Sequence, residues 1–137
     1  MRCMTNPGDQ AAPPSGFSIS ARLNSFRYAV RGLRWLIREE HNARVHLAAS
    51  VLAVGAGLVL RLPAPDWRWL IVAIALVWLA EAFNTAIEDI CDRICPEFDP
   101  AIGRIKDLAA GGVLVASLAA AGIGLFTLGP PLLKLLH

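Results

Sequence analysis

Leu70-Ile71-Val72-Ala73-Ile74-Ala75-Leu76-Val77-Trp78-Leu79-Ala80 runs without a break into Glu81-Ala82-Phe83-Asn84-Thr85-Ala86-Ile87-Glu88. The first run carries no charge, amide or hydroxyl, and neither proline nor glycine interrupts the two together. Extended back to Trp67 and forward to Ile94, the stretch predicts a helix able to cross a membrane, which takes on the order of 20 mostly apolar residues. Its polar half falls on one face. At about 100° per residue, Asn84 lies about 60° and Glu88 about 20° to one side of Glu81, with Asp92 about 20° and Thr85 about 40° to the other. An ionisable group inside a membrane segment costs about 2.5–3.5 kcal/mol on insertion scales, so Glu81 is expected to face a bundle interior or cavity and to be functional. Asp89, Asp92 and in part Glu88 are equally explained as markers of the membrane interface. About 10 Å of rise separates Glu81 from Glu88, enough to hold a phosphoryl group and a metal side by side.

Composition agrees with a lipid environment. The 137 residues are 55% hydrophobic and 18% charged, which points away from a soluble globular domain and leaves room for three spans but not for an added soluble catalytic domain. Val45–Leu60 reads as the first span. Arg61-Leu62-Pro63-Ala64-Pro65-Asp66 reads as a turn, with Asp66 capping the next helix and Trp67 and Trp69 at the interface. Cys95-Pro96-Glu97-Phe98-Asp99-Pro100 ends that helix. Leu108–Leu133 is long and uncharged, with Gly129-Pro130-Pro131 expected to break its end.

Ahead of the spans, Arg22, Arg27, Arg31, Arg34 and Arg38 recur among Phe26, Tyr28, Val30, Leu33, Trp35, Leu36 and Ile37, the pattern of an amphipathic helix lying on a membrane surface, with Ser18 or Ser20 as its cap. Met1–Gly16 has no apolar core of a signal peptide and reads as a disordered tail. The expected fold is therefore an all-α membrane protein: a tail over 1–17, then one domain over 18–137 with a surface helix at about 18–42 and spans at about 45–61, 67–94 and 106–129. With the N-terminus inside, the inner side carries Arg2, Arg22, Arg27, Arg31, Arg34, Arg38, Arg44, Arg93, Arg104 and Lys106, and the outer side only Arg61, Arg68 and Lys134. That positive-inside asymmetry puts the polar half of the second span at the cytoplasmic face. Cys3, Cys91 and Cys95 make no disulfide framework, and Cys91 and Cys95 read as small helix residues.

Two further clusters carry chemistry. Glu39-Glu40-His41-Asn42-Ala43-Arg44-Val45-His46 marks a hydrophilic hinge before the first span. Combined with Glu88, Glu40 could complete an oxygen-ligand site for Mg²⁺. His46 reads as either a ligand or a polar packing residue. Lys106-Asp107-Leu108-Ala109-Ala110-Gly111-Gly112 opens the third span, where small residues allow close helix approach and a lysine at a helix N-terminus suits phosphate. A candidate base, metal carboxylates and a phosphate cation thus converge on one membrane face, which is most of what phosphoryl transfer requires. No Walker A sequence or kinase-type Gly-rich loop is present.

The motif E-x-x-N-T-A-I-E at Glu81–Glu88, followed by Asp92 and by K-D-x-A-A-G at Lys106–Gly111, resembles the signature of the small bacterial diacylglycerol kinase and undecaprenol kinase family, and the resemblance spans about Phe26 to Phe126. It implies a homotrimer of three-span subunits in the bacterial inner membrane, N-terminus in the cytoplasm, with active sites shared between subunits. The implied reaction moves the γ-phosphate of Mg-ATP to the hydroxyl of a membrane lipid, and no nucleic-acid partner is expected. By the same resemblance Glu81 is the catalytic base and Asn84 holds the γ-phosphate. Glu40 and Glu88 carry the metal, and Asp92, Lys106 and Asp107 join them in contacting the nucleotide. Glu40–His46 is similar to the E-x-N-x-[RK]-[IV]-H form of the undecaprenol-type branch, and Cys95-Pro96-Glu97-Phe98 is similar to that branch's S-P-E-Y. Both favour undecaprenol over diacylglycerol as acceptor.

Two other classes were weighed against this reading. A small transporter or membrane assembly protein accounts for Glu81 and Glu88 but gives no reason for Lys106, Asp107 or Glu40. Other lipid-headgroup enzymes need motifs the chain lacks: the D-x2-D-G-x2-A-R pattern is not completed after Asp89 and Asp92, and K-x6-R-P and P-S-G-H are missing.

Overall fold

The computed structural model describes residues 18–136, and every regular element among them is an α-helix. The expectation of a disordered tail over 1–17 lies outside the described residues. Helix α1 spans Ile19–Glu39, α2 His41–Val59, α3 Ala64–Ile94 and α4 Pro100–Leu136. The chain divides after Arg31 into two units. In the first, Ser18 precedes α1 and its carbonyl accepts the Arg22 N–H at 3.2 Å, while the Arg31 guanidinium lies 5.7 Å from the centre of the Tyr28 ring.

In the second unit α3 packs against both α2 and α4, and α2 also touches α4. Three helices are long and apolar enough to cross a membrane: His41–Val59, Ala64–Ile94 and Pro100–Leu135. The 31 residues of α3 extend about 46 Å against about 30 Å of hydrocarbon. Its buried face runs through Leu70, Ala73, Val77, Glu81, Asn84, Thr85 and Cys91. The polar stripe is therefore the continuation of the apolar packing face, one or two turns further along.

The connections determine what the helix ends present, and they correct several sequence expectations. The sequence predicts an N-terminal helix that reaches about residue 42. Helix α1 ends at Glu39, and the hinge is the single residue Glu40, at φ −93° and ψ 125°, after which α2 begins at His41. Arg44 fixes this break: its Nε donates to the Ile37 carbonyl at 3.1 Å and its terminal nitrogen donates to the Arg38 carbonyl. A cation at the end of a helix both satisfies free carbonyls and matches the helix dipole.

At the other end of α2 the chain reverses in a Schellman turn. Leu62 N–H bonds to the Gly57 carbonyl at 3.0 Å and Arg61 N–H to that of Leu58 at 3.2 Å, with Arg61 at φ 52°. Gly57 is required there, because a Cβ would lie 3.0 Å from the Trp67 ring and 3.2 Å from Leu62. Asp66 does not cap α3. Pro63 holds the cap position and Asp66 follows in the first turn, where its charge suits the helix N-terminus.

Helix α4 differs from expectation at both ends. It starts at Pro100, with Asp99 as cap accepting the Ala101 N–H at 2.6 Å. Lys106 therefore sits more than a turn inside the helix, not at its N-terminus, and Asp99 accepts the first-turn N–H groups of Ala101 and Ile102. At the far end Pro130 and Pro131 lie inside the helix and do not break it. A proline's fixed φ of about −65° is itself helical, and the lost i→i−4 bonds are confined here to the last two turns of the helix. Gly111 and Gly112 have open space where a Cβ would stand, so they admit no close neighbour within this chain.

Candidate functional site

Glu81 is the largest fully buried side chain of the described residues, 1% exposed, placed where the α3 packing face turns from apolar to polar. From α2, His46 comes opposite it, with Nε2 3.7 Å from Glu81 Oε2. That distance is an ion-pair approach, beyond hydrogen-bond range. Among the described residues Glu81 Oε2 and Asn84 Oδ1 are the buried side-chain oxygens left without a hydrogen-bond partner. A buried acceptor in that state is costly unless a ligand supplies its donor.

The register that sets His46 against Glu81 is held one turn further along. Trp78 Nε1 donates to Ser50 Oγ at 3.1 Å, and Ser50 Oγ donates to the His46 carbonyl at 2.7 Å. With α2 and α3 antiparallel, His46 pairs with Glu81 as Ser50 pairs with Trp78. An apolar cavity of about 320 Å³ opens beside this pairing, lined by His46, Ser50, the α3 residues Leu70, Ile74 and Val77, and small residues of α2, α3 and α4.

The remaining expected site residues assemble in two groups. Glu40 and Glu88 lie within electrostatic reach of Glu81, as does His46. Asn84 Nδ2 donates to Glu88 Oε1 at 3.0 Å, which ties the stripe together along α3. Nearer the helix end, Lys106 Nζ of α4 bonds both oxygens of Asp92 at 2.8 and 3.1 Å, with Glu88 also within reach of its charge. Glu88 thus joins the two groups. Asp107 is exposed and is not drawn into either. Asn84 also lines a second cavity of about 330 Å³ between α3 and α4, with Phe83, Ile87, Ile105, Leu108 and Gly112.

Mg²⁺ is bound through one or two carboxylates together with substrate phosphates, not by a cage made of protein alone. Among the described residues no three or more His, Cys, Asp or Glu side chains are grouped to hold a metal. Glu40 and Glu88, both within electrostatic reach of Glu81, with the orphaned Oδ1 of Asn84, whose amide bonds Glu88, fit such a partial set. His46 was left undecided from sequence between ligand and packing residue. Its partner is 35 positions away, and only the helix register reveals it.

Residues 27–128 match the family described as prokaryotic diacylglycerol kinase. The chain is 36% identical over 115 residues to a diacylglycerol kinase of Synechocystis sp., covering 83% of this chain and 66% of that protein. It is 33% identical over 108 residues to the undecaprenol kinase of Bacillus subtilis, covering 79% and 88% of the two chains. Against the diacylglycerol kinase of Escherichia coli K12 it is 36% identical over 93 residues, 68% and 76% of the two. These relatives are named as lipid kinases, phosphotransferases with an alcohol acceptor. Within that class, the chain belongs to the prokaryotic diacylglycerol kinase family. The match spans just under two thirds of the Synechocystis protein and most of the Bacillus one.

Proposed function

We propose that this protein transfers the γ-phosphate of ATP to the hydroxyl of a membrane lipid, with undecaprenol preferred to diacylglycerol. The observation that carries the reading is the Glu81 carboxylate, buried at membrane depth with Oε2 unsatisfied. A lipid hydroxyl arriving within the bilayer donates to the other oxygen of this carboxylate, and Glu81 takes its proton as the lipid oxygen bonds to the γ-phosphorus. The bond from that phosphorus to the β,γ-bridging oxygen breaks, and ADP leaves. General-base assistance of this kind contributes about 10²- to 10⁴-fold.

Asn84 keeps one amide hydrogen free after its bond to Glu88, and that hydrogen is available to hold the γ-phosphate. Lys106, Asp92 and Asp107 sit toward the same helix end and contact the nucleotide. When Mg²⁺ is bound, by Glu40 and Glu88, it neutralises phosphate charge. The protein assembles as a homotrimer in the bacterial inner membrane, N-terminus in the cytoplasm, with α1 on the membrane surface as an amphipathic helix and residues 18–137 forming one kinase domain. The open space at Gly111 and Gly112 supports close approach by a neighbouring subunit, since small residues carry such contacts in membranes. Undecaprenol as acceptor is supported by Glu40-His41-Asn42-Ala43-Arg44-Val45-His46 and by Cys95-Pro96-Glu97-Phe98.

Purified protein in detergent, given γ-labelled ATP, Mg²⁺ and either lipid, tests this directly. Faster labelling of undecaprenol is the expected result. Faster labelling of diacylglycerol overturns the acceptor assignment, and label in neither lipid overturns the kinase reading.

A further inference from the structure

Glu81 is placed for its role by a residue to which neither its motif nor its helix points. His46 stands on α2 with Nε2 3.7 Å from the one Glu81 oxygen that lacks a hydrogen-bond partner. Its side chain makes no hydrogen bond among the described residues. The helix register does not depend on it, because Ser50 and Trp78 bond across the same two helices one turn away. Glu40 and Glu88 are the other charged groups that reach Glu81, and both are carboxylates that cannot donate to it when ionised. Among the described residues His46 is therefore the one charge-bearing donor that reaches that carboxylate.

We propose that His46 is a positioning residue for Glu81. Its Nε2–H closes onto Oε2 when the acceptor lipid binds, fixing the carboxylate so that its other oxygen meets the hydroxyl. This rests on the reading of Glu81 as the base. Hydrogen bonds in catalytic groups are commonly long before substrate arrives and tighten in the complex. Misplacement of a reacting group by about 1 Å can cost on the order of 10²-fold in rate.

Three variants of the full-length protein test it. In His46→Gln the amide nitrogen reaches as far as Nε2, in His46→Asn only as far as Nδ1, and His46→Ala removes the donor. Steady-state kinetics with saturating lipid should show kcat lowered about 10- to 100-fold in the Ala and Asn variants and within about threefold of the parent in Gln, with KM for ATP unchanged in all three. Added imidazole should restore turnover to His46→Ala, because the cavity lined by His46 has room for the ring. Parental kcat in the Ala variant overturns the proposal, as does a Gln variant as slow as Ala with no recovery in imidazole. Should His46→Ala fail to fold, the Gln and Asn pair decides alone: equal rates in the two overturn it. Glu81→Gln measured alongside separates the two claims, since an active Glu81→Gln sinks the base assignment, whereas an inactive one beside a fully active His46→Ala sinks only the positioning role.

Discussion

Lys106 on α4 bonds both carboxylate oxygens of Asp92 on α3, at 2.8 and 3.1 Å, and so ties the ends of the two most extensively packed helices together. Both side chains are substantially exposed, 34% and 65%. Exposed ion pairs contribute about 0–1 kcal/mol to stability, so this one is better explained by what it orients than by what it stabilises. Asp92 holds the ammonium near Glu88, where the phosphates of ATP are placed in the proposed reaction.

Replacing Lys106 with Met should therefore raise KM for ATP at least about tenfold while thermal stability changes by no more than about 1 kcal/mol. Initial rates against ATP concentration, paired with thermal unfolding in detergent, measure both. An unchanged KM removes Lys106 from the nucleotide site.

The Trp78–Ser50 hydrogen bond makes a separate prediction about the register of α2 and α3. Bonds between membrane helices average about 0.6 kcal/mol in double-mutant cycles and reach about 1.7. Trp78→Phe and Ser50→Ala, singly and together, should show a coupling of that size in detergent-denaturant unfolding. Strict additivity of the two would show that the bond contributes nothing.

Arg61 occupies left-handed backbone, φ 52°, at the position of the Schellman turn where glycine is favoured. Arg61→Gly relieves that conformation but loosens the unfolded chain, and the first effect is the larger where the native φ is positive. A gain of about 0.5–1 kcal/mol, read as a rise of a few degrees in unfolding temperature, is expected; a fall would mean that the arginine side chain stabilises the turn more than its backbone strains it.

What could be read from the sequence and what could not divides along a physical line. The long apolar run to Ala80 and the stripe from Glu81 to Glu88 are local patterns with a helical period, and α3 carries them on one buried face as the period requires. Helix ends were harder. Asp66 reads as a cap, but proline at the start of α3 needs no side-chain acceptor, and the aspartate that does cap a helix is Asp99, at the start of α4. Pro130 and Pro131 read as breakers, but their fixed φ is helical and they fall in the last two turns of α4, where few intrahelical bonds are lost. Arg61 in left-handed backbone left no trace, since only glycine or asparagine would have announced it. Arg44 reads as one more inner-side cation, and only the structure shows it closing the end of α1. The contact between His46 and Glu81 was the least legible. It joins two helices across an apolar span, and neither residue's neighbours in sequence encode the register that brings them together.

The central claim is that the buried Glu81 carboxylate accepts the proton of the lipid hydroxyl, and Glu81→Gln tests it most directly. Glutamine keeps the size and polarity of the side chain, so yield, helix content and oligomeric state should match the parent, while lipid phosphorylation by purified protein should fall by about 10²- to 10⁴-fold. A correctly folded Glu81→Gln that phosphorylates lipid at the parental rate would contradict the account.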